Sequence, residues 1–349
     1  MNIKTKFDLA IVESPLQVLS AIEAVHYYGL HNTWLFVRYG RTERRIRNNK
    51  HIDMALEKHN FKKVIKLQNY RYKTFNYLQI CALYLFFLLF RRRIRNLVIG
   101  EWGSDWMQCC VDISRKEEVV LCDDGIIMVD ILRNKLEKGV RWQSAERSTP
   151  LKSIVKKSIT KVLGSRGWHD ARFRLFTAFF EESDSDKCSI DPNSYSYLQS
   201  QLQKRQQSGV YYFGTKYSEE GYFPLDVEIK FLRAVFSYLS KHEPHEQILY
   251  VPHRDDSDEK IEKVEEIGFK VLYLESPAEL HFLSADTFPK SISGAFTTAV
   301  ANLSSIYKPT TVRLFRLPQD QIVLKKREHV KTIYEFYEKR GFTIIELNK

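Results

Sequence analysis

Hydrophobic residues in the first third of the chain fall into short unbroken runs separated by longer stretches with helical spacing. Phe7 to Val12, Trp34 to Val37, Val64 to Leu67, Leu97 to Ile99 and the run opening at Val119 read as strands. Between them lie a helix from Pro15 to Tyr28, opened by Ser14 as cap with Pro15 in its first turn, and a basic helix around Thr42 to His59. A very apolar helix, Leu78 to Phe90, follows. Such alternation predicts an α/β fold with a parallel sheet covered by helices on both faces. Buried parallel strands are continuously apolar because neither face meets water.

The pattern restarts in the second half. Gly209 to Phe213 reads as a strand closing on Gly214, where a backbone turn can approach a phosphate. A helix from about Leu225 to Lys241, a strand Ile248 to Val251, a charged helix ending near Ile267 and a strand Phe269 to Leu274 follow. Ser291 to Leu303 reads as small residues and hydroxyls opening an alanine-rich helix. Between the halves, Glu181 to Gln207 is polar, with Ser-Asp-Ser-Asp and Asp-Pro-Asn-Ser. This predicts a first domain over 1–185, a linker over 186–208 and a second domain over 209–349, with the last helix a candidate for packing back onto the first domain.

At 349 residues, with 44% hydrophobic and 13% aromatic residues, the chain can build two cores of ordinary size. A net charge of +11 favours an anionic contact without choosing among nucleic acid, membrane surface and acidic substrate. Five cysteines with no C-x-x-C pair offer neither a disulfide framework nor zinc spacing, and the neighbours Cys109 and Cys110 read as packing residues. The start of the chain lacks the pattern of a signal peptide. The run Leu78 to Phe90 falls short of the roughly 20 residues that span a bilayer, so it reads as a buried helix or one lying against a membrane surface. Lys152, Lys156, Lys157 and Lys161 recur about once per helical turn among apolar residues, as on a solvated helix face or one laid on anionic lipid.

Candidate chemistry gathers where the predicted strands end. The run at Val119 leads into Asp123-Asp124-Gly125. Successive side chains leaving a strand diverge, so one carboxylate can face a substrate while the other braces the turn. Glu13 and Ser14 end the first strand in the same way. In the second half His253 and Arg254 follow a strand and can donate to phosphate oxygens. Glu279, in the first turn of a short helix, suits ribose hydroxyls or the helix dipole. Thr297 and Thr298 stand where free helix amides form an anion site. Asp184 and Asp186 superficially suggest a metal-nucleotide motif, but their polar surroundings favour a solvated loop.

The order of these motifs resembles the bacterial sialyltransferases and polysialyltransferases. Asp123-Asp124-Gly125 matches their acidic-acidic-Gly motif, His253-Arg254 their His-Pro motif and Thr297-Thr298 their Ser-Ser/Thr motif, while Glu-Ser-Pro-Leu-Gln at 13–17 resembles the amino terminus of the lipooligosaccharide branch. Arg254 stands where the family has proline, and threonines replace serines. The resemblance implies a GT-B architecture of two Rossmann-like domains whose parallel sheets face a central cleft. It also implies inverting transfer, without metal or other cofactor, of sialic acid or another nonulosonic acid from a CMP-activated donor to a glycan hydroxyl. Asp123, ahead of Asp124, would be the base, with Glu13 and Ser14 on the acceptor side. His253, Arg254, Thr297 and Thr298 would hold the leaving phosphate, with Gly214 and Glu279 completing the CMP site. The basic segments Arg91 to Arg95 and Lys152 to Lys161 suit an enzyme of the bacterial cytoplasm working at the inner face of the membrane, with peripheral contact to anionic lipid, and no nucleic-acid partner is expected. A basic nucleic-acid-binding protein, or a transferase using another nucleotide sugar, is the alternative.

Overall fold

A computed structural model describes residues 5–40, 43–68, 73–140, 161–162, 171–181, 185–202 and 206–347. The chain forms two compact units, Met1–Tyr197 and Leu198–Lys349. The first carries a seven-stranded, wholly parallel sheet of β1 (Phe7–Val12), β2 (Thr33–Arg38), β3 (Lys63–Leu67), β4 (Ile94–Ile99), β5 (Glu118–Cys122), β6 (Arg172–Thr177) and β7 (Ser189–Pro192). Its strand order is β3-β2-β1-β4-β5-β6-β7. The chain winds outward from β1 to β3 and returns through the helix Lys73–Phe90 to place β4 on the other side of β1. The winding therefore reverses between β1 and β4, and ligands in such sheets bind beyond the carboxyl ends of the strands at this reversal.

Central β1 is buried along its whole length, including Asp8, whose charge is met by Arg95 at 2.7 Å and Asn96 at 2.8 Å. The edge strand β3 instead presents Lys63 and Lys66 outward, which discourages pairing with another chain. The helix Lys73–Phe90 starts earlier than its apolar run, and it is not buried all round. Leu83, Tyr84 and Phe87 face the core, whereas Leu78, Leu85 and Leu89 are exposed.

The second unit repeats the winding with six parallel strands: β8 (Gln207–Phe213), β9 (Ile248–Val251), β10 (Lys270–Val271), β11 (Phe288–Gly294), β12 (Thr311–Phe315) and β13 (Ile344–Ile345). The order β10-β9-β8-β11-β12-β13 puts its reversal between β8 and β11. Phe231, Leu232, Val235 and Leu239 line the buried face of the helix Leu225–His242. The last helix, Leu324–Lys339, is fastened within this unit: Tyr334 donates to the Phe315 carbonyl and Tyr337 to that of Thr297.

Strands β6, β7 and β11 depart from the sequence expectation. β6 arises beyond the cationic segment, where no strand is expected, because Arg174 pairs across the sheet with Glu118 and Asp191 while Phe173, Leu175 and Phe176 pack inward. β7 lies inside the expected linker and pairs with β6, and Tyr197 still belongs to the first unit, its ring stacked 3.5 Å from that of His26. β11 takes the serines expected to open a helix, since the Ser293 hydroxyl donates to the Tyr211 carbonyl of β8 and a buried strand can therefore carry it. A further helix, Asp105–Ser114, buries both Cys109 and Cys110. The positions Lys152, Lys156, Lys157 and Asp184 lie outside the described residues.

Candidate active site

At the reversal of the first sheet, β1, β4 and β5 each deliver a carboxylate to the same edge. β1 ends in Glu13, β4 in Gly100-Glu101 and β5 in Asp123-Asp124. Helix Pro15–Tyr27 begins here with Ser14 as its cap, the hydroxyl accepting from the Gln17 amide at 3.2 Å. Gln17, almost wholly buried, ties the edge together. Its side-chain oxygen accepts from the Glu13 amide at 2.8 Å, and its side-chain nitrogen donates to Asp124 Oδ1 at 2.9 Å. A Cβ on Gly100 would stand 2.6 Å from the Gln17 oxygen, so only glycine leaves that side chain room. Trp106 Nε1 donates to Glu13 Oε2 at 2.8 Å, and Arg38 approaches the same oxygen at 3.8 Å.

The two aspartates diverge. Asp123 points inward with no exposure and accepts the Ala178 amide at 2.7 Å, bracing the chain beyond β6. Asp124 is half-buried and turns toward Gln17 and Glu13. Gly125, at φ 83°, makes the sharp turn that follows them, a conformation costly for other residues.

Burial pushes the Asp123 carboxyl up to about 7 against the pull of Thr177, the Ala178 amide and Asn193. Burial likewise lifts Asp124 to about 7, with the Gln17 amide opposing and the Glu13 charge adding. Glu101 is pushed up to about 8 by burial, a hydrogen bond with Glu13 and the charges of Asp124 and Glu13. A carboxyl whose pKa rises on folding favours the folded state at low pH and loses that contribution as pH climbs through the raised value. Glu101→Gln, which cannot ionise, should therefore raise the thermal midpoint relative to the parent. The gain should be small at pH 5 and widen toward pH 8, as unfolding scans at both values will read.

In the second unit the turn after β9 carries His253. Its Nδ1 accepts from the Asp255 amide at 3.2 Å, which assigns the neutral ring's proton to Nε2 as its remaining donor. Burial lowers the His253 pKa, keeping that neutral form. Asp256 fixes the turn, its Oδ2 accepting from the His253 amide at 2.9 Å and from the Tyr250 hydroxyl at 3.0 Å. Lys260, with no exposure, bonds Asp256 at 3.0 Å, Glu228 at 2.5 Å and the Thr215 carbonyl at 2.8 Å. The turns after β8 and β9 are thus clamped to one buried cation. Gly214, ending β8, sits so close to Tyr250 that a Cβ would meet the phenol oxygen at 2.3 Å, giving the glycine a packing reason of its own.

Thr297, following β11, caps the helix Thr298–Tyr307, its hydroxyl oxygen accepting from the Ala299 amide at 3.3 Å. The hydroxyl proton remains available as a donor beside the helix amides. Glu279 is buried in the helix Ala278–Ser284, where Asn302 donates to its Oε1 at 2.8 Å. Arg254 is exposed next to His253. Among the described residues no group of histidine, cysteine, aspartate or glutamate is arranged to hold a metal ion.

No protein-family model matches the sequence, and no curated protein matches it. Solved structures do. The α/β-galactoside α-2,3-sialyltransferase of Photobacterium phosphoreum superposes with a TM-score of 0.50 at 9% identity, over 98% of this chain and 99% of that one. The chain has the GT-B fold. A sialyltransferase of Photobacterium damsela aligns with a TM-score of 0.43 at 9% identity, over 98% of this chain and 81% of that one. A 2,6-sialyltransferase of another Photobacterium, determined with CMP and lactose, gives 0.43 at 9%, over 97% and 78%.

Within this GT-B frame, Glu13, Ser14, Asp123 and Asp124 share one sheet edge of the first unit, and Gly214, His253, Arg254, Thr297 and Thr298 share the corresponding edge of the second. Glu279 follows β10 there. Glu101, Trp106 and Lys260 had no part in the sequence expectation, and Gln17 entered it only as the end of the 13–17 motif. Glu101 had the signal that singled out Asp123, a carboxylate directly after an apolar strand. Lys260 gave none, sitting in a charged helix whose other charged residues are exposed or half-buried.

Proposed function

We propose that this chain is an inverting, metal-independent glycosyltransferase that moves sialic acid or a related nonulosonic acid from a CMP-activated donor to a hydroxyl of a bacterial surface glycan, lipooligosaccharide or capsule. One observation carries the reading. His253, Glu279 and Thr297 emerge at the carboxyl edge of one Rossmann-like sheet, and the half-buried carboxylate Asp124 emerges at the reversal point of the other. The likeness of the fold to a sialyltransferase supports it.

In this mechanism Asp124 takes the proton of the acceptor hydroxyl as its oxygen bonds the anomeric carbon and the bond to the CMP phosphate breaks. Asp124 replaces Asp123 as the base because Asp123 is closed off from any acceptor. The His253 Nε2 proton, the Thr297 and Thr298 hydroxyls and the amides opening the helix Thr298–Tyr307 take up the charge developing on the phosphate, with Arg254 assisting. Glu279 holds the ribose, and Glu13 lies on the acceptor side. The work is done at the inner face of the bacterial membrane.

Calorimetry of CMP binding in the presence of a chelator tests this. Wild-type protein should bind CMP saturably, and His253→Ala should weaken binding about tenfold or more, the value of a hydrogen bond to a charged group. Absence of CMP binding, with tight salt-sensitive binding of RNA instead, overturns the proposal.

A further inference from the structure

The helix Lys73–Phe90 buries one face and leaves the other bare. Leu83, Tyr84 and Phe87 pack inward at 7%, 2% and 0% exposure, while Leu78, Leu85 and Leu89 expose 65%, 52% and 65% of their surface. Ala82 is exposed between them. Positions 78, 82, 85 and 89 follow the spacing of a single helical face, so these side chains form one apolar stripe along the helix. Isolated exposed leucines need no explanation, but a continuous stripe marks a surface that something covers.

Charge at one end of the stripe identifies what covers it. The helix runs into Arg91-Arg92-Arg93, and Arg92, in the turn just past the helix end, is exposed. This turn leads into β4, beside the Arg115-Lys116 turn that leads into β5: Lys116 Nζ donates to the Ile94 carbonyl. Arg95 and Arg115 are exposed at the same end. Arg95 is matched by Asp8. Arg174 takes up Glu118, one of the two carboxylates following Lys116, leaving Glu117 as the other. An apolar face flanked by arginines is the pattern of a helix lying in the interface of an anionic bilayer, with leucines among the acyl chains and guanidinium groups on lipid phosphates. Among the described residues no helix is long and apolar enough to cross a membrane.

We propose that the outer face of the helix Lys73–Phe90, with the arginine cluster at its end, is the surface by which this protein docks on an anionic lipid bilayer. The proposal places the membrane contact on described residues of the first unit. It requires neither donor nor acceptor and so is separable from the transferase reading.

Co-sedimentation with vesicles of phosphatidylethanolamine and phosphatidylglycerol, compared with neutral phosphatidylcholine vesicles, tests it. Wild-type protein should pellet with the anionic vesicles, and Leu85→Ser/Leu89→Ser should weaken binding by at least about tenfold. Arg92→Glu should weaken binding to anionic vesicles and reduce its salt dependence. Because the substituted positions are solvent-facing, thermal unfolding of the variants should match the parent, which separates lost binding from lost folding. Wild-type protein that ignores anionic vesicles, or leucine variants that bind as well as the parent, overturns the proposal. So does a wild-type dimer that the leucine substitutions dissociate without any vesicle binding, since that assigns the stripe to a second copy.

Discussion

Asp124→Asn is expected to lower kcat for sugar transfer by about 10²–10⁴, the range that a positioned general base contributes, while CMP affinity stays at the parent value. Asparagine retains the size of the side chain and can still meet the Gln17 amide, so the change removes a proton acceptor and little else. The pH profile supplies a second reading. Burial lifts Asp124 to about 7, and a base works only as its carboxylate. For the parent, kcat/KM should rise with pH through about 7 and level off above it, and the residual activity of Asp124→Asn should lose that limb. Asp123→Asn is the control. Its Oδ2 accepts the Ala178 amide, a contact the asparagine oxygen can keep, and Thr177 and Asn193 stand beside it, so transfer should persist. Loss of turnover in Asp123→Asn with retention in Asp124→Asn would reverse the assignment.

Lys260→Met should destabilise the folded protein by about 3–5 kcal/mol, the cost of stripping one partner from a buried ion pair. Lys260 has no exposure, and its ammonium lies 2.5 Å from Glu228, 3.0 Å from Asp256 and 3.5 Å from Glu219. Burial drives this lysine toward neutrality, but the Glu228 and Asp256 carboxylates prevail and hold its pKa above the usual lysine value. Methionine fills similar volume while leaving Glu228 and Asp256 buried without their counter-ion. The deficit should shrink on acidification: burial already raises the Glu228 pKa, and without the lysine it takes up a proton more readily. Lys260→Met/Glu228→Gln should recover part of the loss. Urea unfolding at pH 8 and pH 5 will measure both. A substitution costing less than about 1 kcal/mol at pH 8 would show that the cluster is solvated rather than closed.

The expected alternation of strands and helices corresponds to the observed order from β1 to β5 because central parallel strands have no wet face, and Phe7–Val12 or Val119–Cys122 can be little else. The cap at Ser14 was equally visible, since its hydroxyl answers a local demand for an acceptor at a helix start. Two strands of the first sheet, β6 and β7, and three of the second, β11, β12 and β13, were not legible as strands, and for β6 and β11 the reason is shared. Arg174 and Ser293 look like surface residues until the sheet supplies Glu118 and Asp191 to one and the Tyr211 carbonyl to the other. Because those partners are remote in sequence, no local pattern encodes them.

The site divides in the same way. By itself the sequence determined that carboxylates end β1 and β5 and that a histidine ends β9, because a strand and its first loop residue are neighbours in the chain. It also determined that Asp123 and Asp124 must point apart. Tertiary structure decided which of the two is buried, through Ala178 beyond β6 on one side and Gln17 of the first helix on the other. It also joined Glu101 to Glu13 and closed Lys260 behind the His253 turn. Those outcomes depend on the order in which strands lie side by side, and that order is set by how the whole chain packs rather than by any short stretch of it.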